Sequence, residues 1–346
     1  MKIAVLFGGT SDEREVSIAS GSEVVKALRS AGHEVVAVDT ANGVLTAEQE
    51  ATLLRSAVSP IPPGRAELDL LATGDPTELT HAPELEGVDV LFLALHGGAG
   101  EGGNLQGWLD LMGLPYTGSG MLGSAMAMDK DVTKRLLRDA GIPTSAWLMA
   151  PVTAAEVEAE LGWPVVVKPS KQGSTLGLSV VREPADLEPA LHLAYLFDDE
   201  VMVETFLPGR ELTVPILGDE ALPVGEIITG KDIFDYEAKY QPGKAEEIFP
   251  ADITDELRIN VQELALGTHR TLKLRGFSRV DFRLDEAGDL WCLEANTLPG
   301  MTANSLVPKS AKAAGISFPR LCERICEIAI GEHAGRREEL VGRQKG

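Results

Sequence analysis

Cysteine is scarce in this chain, with three in 346 residues (Cys292, Cys322 and Cys326), so no paired disulfide framework is available. None of the three forms a Cys-x-x-Cys pair. Cys322 and Cys326, four apart in a predicted helix, read as small core residues. A reducing cytoplasm suits such a chain best. Positive charge is also short: 31 Lys and Arg stand against 53 Asp and Glu, a net charge of −22. That balance argues against nonspecific binding to nucleic acid or to an anionic membrane, since both need a basic face. Long apolar runs are missing too. Val90–Leu95 is strand-length, far below a membrane span, and Gly8 and Gly9 stop the Met1–Phe7 run too early for a signal-peptide core. No internal repeat or low-complexity tract is present.

What remains is a chain with 44% hydrophobic residues, long enough for two or three domains with a substantial core. Its first third alternates strand and helix. Lys2–Phe7 predicts a strand, Glu13–Ala31 a helix, Val35–Val38 a strand and Val88–Leu95 a buried strand. This pattern predicts an α/β unit with a parallel, doubly wound sheet and ligands at the strand C-termini. Ala41–Pro83 is more polar and richer in Pro and Gly, which predicts a surface excursion. After Gly118–Gly123, one helix is expected over Ser124–Ala140, then a small α+β unit over Trp163–Glu204. A mixed region leads to a helix at Thr254–Lys273 and a last helix from about Ser317.

The chemistry concentrates in a few runs. Phe277–Leu284 (FSRVDFRL), a turn at Asp285–Asp289 and the run Trp291–Met301 (WCLEANTLPGM) predict a hairpin. Residues two apart in a strand share a face, so Glu294 and Asn296 point together and the hairpin brings Asp281 across from them. Two carboxylates and an amide oxygen, with few cations adjacent, make a hard-oxygen site suited to Mg2+. Arg279 shares the face of Asp281. It could stabilise charge on a transferred group or simply form a salt bridge to one of the acids.

Lys168–Gly177 (KPSKQGSTLG) is a Gly- and hydroxyl-rich loop entered by a lysine. Small residues let backbone N–H groups approach phosphate oxygens, although the order is not that of a Walker A loop. Glu13 falls where a tight turn meets a helix N-terminus, as a dipole partner or as a carboxylate for an ammonium group. His96 precedes Gly97, Gly98, Gly100, Gly102 and Gly103, which predicts a mobile loop at the same sheet edge. Asp235–Tyr240 (DYEAKY) reads as an exposed polar loop.

In their order along the chain, these runs resemble the D-alanine–D-alanine ligases of the ATP-grasp superfamily. The Gly-Gly turn with Glu13 comes first, then His-Gly-Gly, LPYTGSG with MDK, KPSKQGSTLG, ETFLPGRE, DYEAKY, RVD and EANTLPGMTANS. The resemblance runs from Lys2 to about Ala329. It implies an ATP-grasp fold behind a Rossmann-like N-terminal domain, with units at 1–123, 124–204 and 205–346. ATP phosphates would meet Lys130, Lys168, Lys239 and the loop carrying Ser174. Glu204 and the backbone at Leu207 would hold adenine, and Glu211 the ribose. Asp281, Glu294 and Asn296 would hold two Mg2+ ions, for which Mn2+ can substitute.

The same resemblance gives Glu13 the ammonium of the first D-alanine, and Arg279 and the Gly300 N–H an oxyanion. Ser305 and Leu306 would receive the second carboxylate, His96 would border the substrate, and Tyr240, linked to Ser174 and Glu13, would close the pocket. A homodimer is expected from the family alone. Thr205 departs from the family, which often has Lys there. The implied activity is ATP-dependent joining of two D-alanines for peptidoglycan synthesis. The alternatives are another ATP-grasp carboxylate–amine ligase, including one using D-lactate or D-serine second, or a non-catalytic module retaining the fold. A dinucleotide oxidoreductase would need G-x-G-x-x-G after the first strand, where this chain has FGGTSDE.

Overall fold

The computed structural model describes residues 1–53, 63, 68, 71, 82–230 and 245–343. Strand β1 (Lys2–Phe7) carries five successive buried residues, as a strand covered on both faces should. It pairs in parallel with β2 (Glu34–Asp39) on one side, and β2 takes a short antiparallel strand β3 (Gly43–Val44) at its outer edge. On the other side β1 pairs in parallel with β4 (Val90–Leu93), giving the order β3-β2-β1-β4. The parallel sheet expected from the alternation is present, with β3 as an antiparallel addition. Because the chain leaves β1 in one direction and returns on its other side, a crevice opens at the C-terminal ends of β1 and β4. Glu13, at the start of helix Arg14–Ser30, and His96, just after β4, both stand there.

Strands β5 (Trp147–Met149), β6 (Val165–Pro169), β7 (Ser179–Val181) and β8 (Val201–Thr205) form an antiparallel sheet in the order β5-β8-β6-β7. Its core holds Val165, Val167, Val201 and Val203 with Val157 and Leu191 from helices Ala154–Glu160 and Leu187–Tyr195. The remaining strands are β9 (Arg210–Leu217), β10 (Glu220–Ala221), β11 (Gly225–Thr229), β12 (Ala245–Ile248), β13 (Phe277–Leu284) and β14 (Leu290–Asn296). They run β12-β11-β9-β13-β14, with β10 paired to β9. Val261 and Ala265 of helix Asp255–Thr271 pack on Val214, Val280, Phe282 and Leu290 of this sheet.

The helix expected over Ser124–Ala140 is two helices, Met121–Met128 and Lys130–Asp139, and this corrects the sequence reading. Asp129 has an extended ψ of 105°, and its carboxylate accepts from Val132 N–H at 3.0 Å. Asp favours such an N-cap over a helix interior, and the break places Lys130 at the first position of the new helix. The final helix, Phe318–Arg343, joins the first sheet: Leu321, Cys322, Ile325 and Cys326 share its core with Leu28 and Phe92. Burial pushes the Cys326 thiol up to about 12, in keeping with a small core residue. Leu68, within the stretch expected to be a surface excursion, is buried. Among the described residues no helix is long and apolar enough to cross a membrane.

Candidate active site between two sheets

The predicted hairpin forms, and Asp281 lies directly opposite Glu294, with Arg279 opposite Asn296. One irregularity decides where these groups point. Phe282 pairs with Cys292 while Asp281 pairs with Glu294, so Leu293 is an extra residue in β14. In an unbroken strand Glu294 and Asn296 would share the face of Cys292 and Leu290, which is the core. The bulge inverts the alternation: Leu290, Cys292 and then Ala295 are buried, and Glu294 and Asn296 turn outward.

They turn to a cleft between the second and third sheets. Its walls include Lys130, Lys168, Ser174, Glu204, Leu207, Glu211, Arg279, Asp281 and Glu294, with Arg283 and Leu293 beside them. The cleft encloses about 980 Å3 of space, part of it open to solvent. Most of the residues expected to meet nucleotide or metal are thus gathered from β6, β8, β9, β13, β14 and one helix start.

Each charge in this cleft has an opposite partner. Arg279 donates to both oxygens of Asp281, from Nε at 2.9 Å and Nη2 at 2.8 Å. Thr213 Oγ1 and Asn296 Nδ2 also donate to that carboxylate, at 2.7 and 3.0 Å. Lys130 Nζ lies 3.7 Å from Glu294, and Arg283 lies 3.1 Å from Glu211. The expectation of few cations near the acids is therefore corrected. Arg279 arrives because it shares the strand face, and Lys130 arrives from a separate element that no local pattern reveals.

Glu204 carries the densest pairing. Lys168 donates to Oε1, and Lys134 and Ser145 Oγ donate to Oε2 at 2.9 and 3.0 Å. Burial pushes this carboxyl up, but the two ammonium groups outweigh it and hold it well below the usual carboxylate range. Lys134 and Ser145 were missed in the sequence. A signal existed for Lys134, which lies four residues after Lys130 and so on the same helix face.

The donor set of the hairpin fits Mg2+: two carboxylates face each other, and an amide group stands beside them. Among the described residues no three His, Cys, Asp or Glu side chains form a metal-ligating group; at the hairpin the third donor would be the oxygen of the Asn296 amide, whose Nδ2 donates to Asp281. Charge makes the same case. Among the described residues lining the cleft, Lys130, Lys168, Arg279 and Arg283 are matched by Glu204, Glu211, Asp281 and Glu294, so a divalent cation bound at the hairpin would add positive charge where a polyphosphate needs it.

Toward the first sheet, Ser174 Oγ donates to Glu13 Oε1, so the phosphate-type loop touches the N-terminal crevice. Ser174 and Thr175 have φ of +49° and +65°, a left-handed backbone that non-glycine residues rarely adopt and that concentrates at functional sites. A Cβ at position 97 or 173 would lie 2.7 or 2.8 Å from Glu13 Oε2 and displace that carboxylate, and Gly97 in addition has a φ of +64° that favours glycine. Lys130 Nζ donates to the Gln172 carbonyl at 2.7 Å and anchors the start of this loop.

His96 is buried, and both ring nitrogens have protein partners. Nδ1 donates to the Leu298 carbonyl at 2.8 Å, so Nε2 accepts from Ser20 Oγ at 3.0 Å. Burial holds its pKa below the ordinary 6.5 and keeps the ring neutral. The glycine-rich stretch expected to be a mobile loop contains a helical turn, Gly98–Glu101, and Glu101 was not singled out in the sequence. Gly300 lies near Ser305, whose Oγ turns back to the Thr302 N–H at 3.1 Å, and Leu306 opens helix Leu306–Ala313. Lys239, Tyr240 and the Asp235–Tyr240 run lie outside the described residues.

Three sheets, with a charged cleft between the second and third and a parallel sheet in front, define an ATP-grasp architecture. The model of the D-ala D-ala ligase N-terminus matches residues 2–119, and that of the D-ala D-ala ligase C-terminus matches residues 136–327. The chain is 42% identical over 341 residues to the D-alanine–D-alanine ligase of Geobacter sulfurreducens, covering 96% of this chain and 97% of that protein. The enzyme of the same name from Nitrosospira multiformis is 43% identical over 330 residues, covering 95% and 96%. A crystal structure of D-alanine–D-alanine ligase from Bacillus anthracis complexed with ATP superposes with a TM-score of 0.78 at 30% identity, covering 97% of this chain and 99% of that one. This chain belongs to the D-alanine–D-alanine ligase family.

Proposed function

We propose the following division of labour for the ATP-dependent joining of two D-alanine molecules into D-alanyl-D-alanine, with release of ADP and phosphate, for peptidoglycan precursors. The observation that carries it is the cleft itself. It sets paired Lys, Arg and carboxylate groups beside a strained Ser-Thr loop that reaches Glu13 at the N-terminal crevice. ATP lies in the cleft with adenine along Glu204–Leu207 and ribose at Glu211. Lys130, Lys168, the Ser174 loop and Lys239 take the phosphates. Glu204 also fixes the Lys168 ammonium between two sheets.

Asp281, Glu294 and Asn296 would hold two Mg2+, or Mn2+, which neutralise phosphate charge when bound. Glu13 receives the ammonium of the first D-alanine. Its carboxylate lies between Arg279 and the Gly300 N–H. A carboxylate oxygen attacks the γ-phosphorus, the bond to the bridging oxygen breaks, and ADP leaves. The second D-alanine docks its carboxylate at Ser305 and Leu306, where the helix N-terminus has no side-chain cap. Its ammonium loses a proton to solvent, the free amine attacks the acyl carbon, and the second proton lost on amide formation leaves with the departing phosphate. The tetrahedral oxyanion is met by Arg279 and Gly300, and the C–O bond to phosphate breaks. His96 acts on the substrate through the segment it holds. Tyr240 and the Ser174 loop exclude water from the acyl phosphate.

This sequence moves one carboxylate oxygen into phosphate. D-alanine labelled with 18O in its carboxylate is therefore expected to give phosphate carrying one 18O per dipeptide. Unlabelled phosphate would contradict an acyl-phosphate route.

We also assign the chain a cytoplasmic location and a homodimeric state. The dimer is supported by a cluster of exposed apolar side chains, Leu111, Met112, Met121 and Leu122, on two helices that meet where Met121 lies against Gly107. Contiguous exposed apolar side chains of this kind mark a protein–protein contact. Sedimentation at micromolar concentration reads it directly; a monomer would rule it out.

A further inference from the structure

The side chain of Glu101 lies outside the cleft, yet it joins the two walls of the donor site. Its Oε2 accepts from the Gly97 N–H at 3.0 Å, and its Oε1 accepts from the Leu298 N–H at 3.1 Å. Gly97 abuts the Glu13 carboxylate, and Leu298 lies two residues before Gly300. The same segment is gripped twice more. His96 Nδ1 donates to the Leu298 carbonyl at 2.8 Å, and the Met301 N–H donates to Ser20 Oγ at 3.2 Å. Both backbone groups of Leu298 and the N–H after Gly300 are thus fixed by side chains of the N-terminal unit. Gly300 itself, with no side chain to anchor it, takes its direction from these neighbours.

We propose that Glu101 is a positioning residue that sets the distance between the ammonium-binding Glu13 wall and the Gly300 N–H, and so fits the site to the first D-alanine. The inference rests on the reading of Glu13 and Gly300 as the two ends of that site. Only a carboxylate offers two acceptor oxygens to two backbone donors at this spacing. An amide offers one, and its NH2 group confronts the other N–H. Misplacing reacting groups by about 1 Å costs about 100-fold in rate, which bounds the effect.

The ionisation of Glu101 supplies an independent readout. Burial, then the charges of Glu13 on the first helix and Glu294 on β14, push its carboxyl up to about 7, against the pull of the Gly97 and Leu298 N–H groups. His96, neutral, and Arg279 on β13 are the other titratable groups of this corner. A carboxyl raised above its ordinary 4.5 contributes stability below that pH and loses it as pH rises through about 7. The clamp needs the ionised form. Activity should therefore rise as pH passes through about 7, the upper end of the interval, from 4.5 to about 7, over which this contribution to stability falls.

The experiment compares Glu101→Gln, Glu101→Asp and Glu13→Gln with the unaltered enzyme, with two-site kinetics in D-alanine, a pH profile and thermal unfolding. For Glu101→Gln we expect kcat down by about 10- to 100-fold, within the positional bound. KM for the first D-alanine should rise, KM for ATP should not change, and the acidic limb near neutrality should vanish. Glu101→Asp should lose rate through its shorter reach but keep that limb. A normal Glu101→Gln enzyme beside a crippled Glu13→Gln overturns the clamp and leaves the donor site standing. Normal kinetics in both remove the donor-site reading and the clamp with it. A Glu101→Gln loss that falls equally on ATP, or that tracks a lowered unfolding temperature shared by Glu101→Asp, reduces the residue to a structural one.

Discussion

Asp281→Asn is expected to lower kcat by about a thousandfold while the protein stays folded, the scale seen when a preorganised charge at a transferring group is removed. The residue is 6% exposed, and its carboxylate faces four donor atoms: Nε and Nη2 of Arg279, Oγ1 of Thr213 and Nδ2 of Asn296. Asparagine keeps its size, so packing against β9 and β14 survives. What disappears is the negative charge that fixes Arg279 and would ligate the metal. Leaving a buried guanidinium unpaired usually costs about 3–5 kcal/mol. Here Glu294 lies directly across the hairpin and can take Arg279 over, so the loss of stability should be smaller. Turnover, Mg2+ titration and thermal unfolding measured together separate the cases. A folded variant with unchanged turnover would remove Asp281 from the metal and charge network.

Lys168→Met should act on the nucleotide rather than on the amino acid. Lys168, next to last in β6, sets its ammonium on Glu204, and methionine preserves the apolar stem while removing the charge. Lys134 and Ser145 still satisfy the other oxygen of Glu204, so the floor of the cleft should hold. kcat/KM for ATP is expected to fall by about 100-fold, comparable with loss of one charge-assisted contact to phosphate. KM for D-alanine should change little. An unaltered KM for ATP with a raised KM for D-alanine would place Lys168 at the wrong end of the cleft.

These two residues also show what the sequence made legible. The hairpin was readable because FSRVDFRL, DEAGD and WCLEAN give strand, turn and strand, and Asp281 does face Glu294. The bulge at Leu293 was not readable, since alternation in so apolar a run has no clear phase; yet the bulge turns Glu294 to the cleft. The pairing of the acids was half visible. Arg279 is two residues from Asp281, whereas Lys130 reaches Glu294 only because Asp129 breaks a helix and restarts it at Lys130. Glu101 was hidden in a glycine-rich stretch that suggested mobility. Its two backbone donors come from positions 97 and 298, and a contact between segments so far apart leaves no local trace. For the same reason the return of the final helix to the first sheet was not foreseen.

The measurement that bears most directly on the whole account is the release of ADP and phosphate over a panel of D- and L-amino acids and D-lactate, with the product identified. Mg2+-dependent release is expected with D-alanine alone, one phosphate and one D-alanyl-D-alanine per ATP, and neither product with L-alanine. Absence of release with D-alanine, or release that yields no dipeptide, would contradict it.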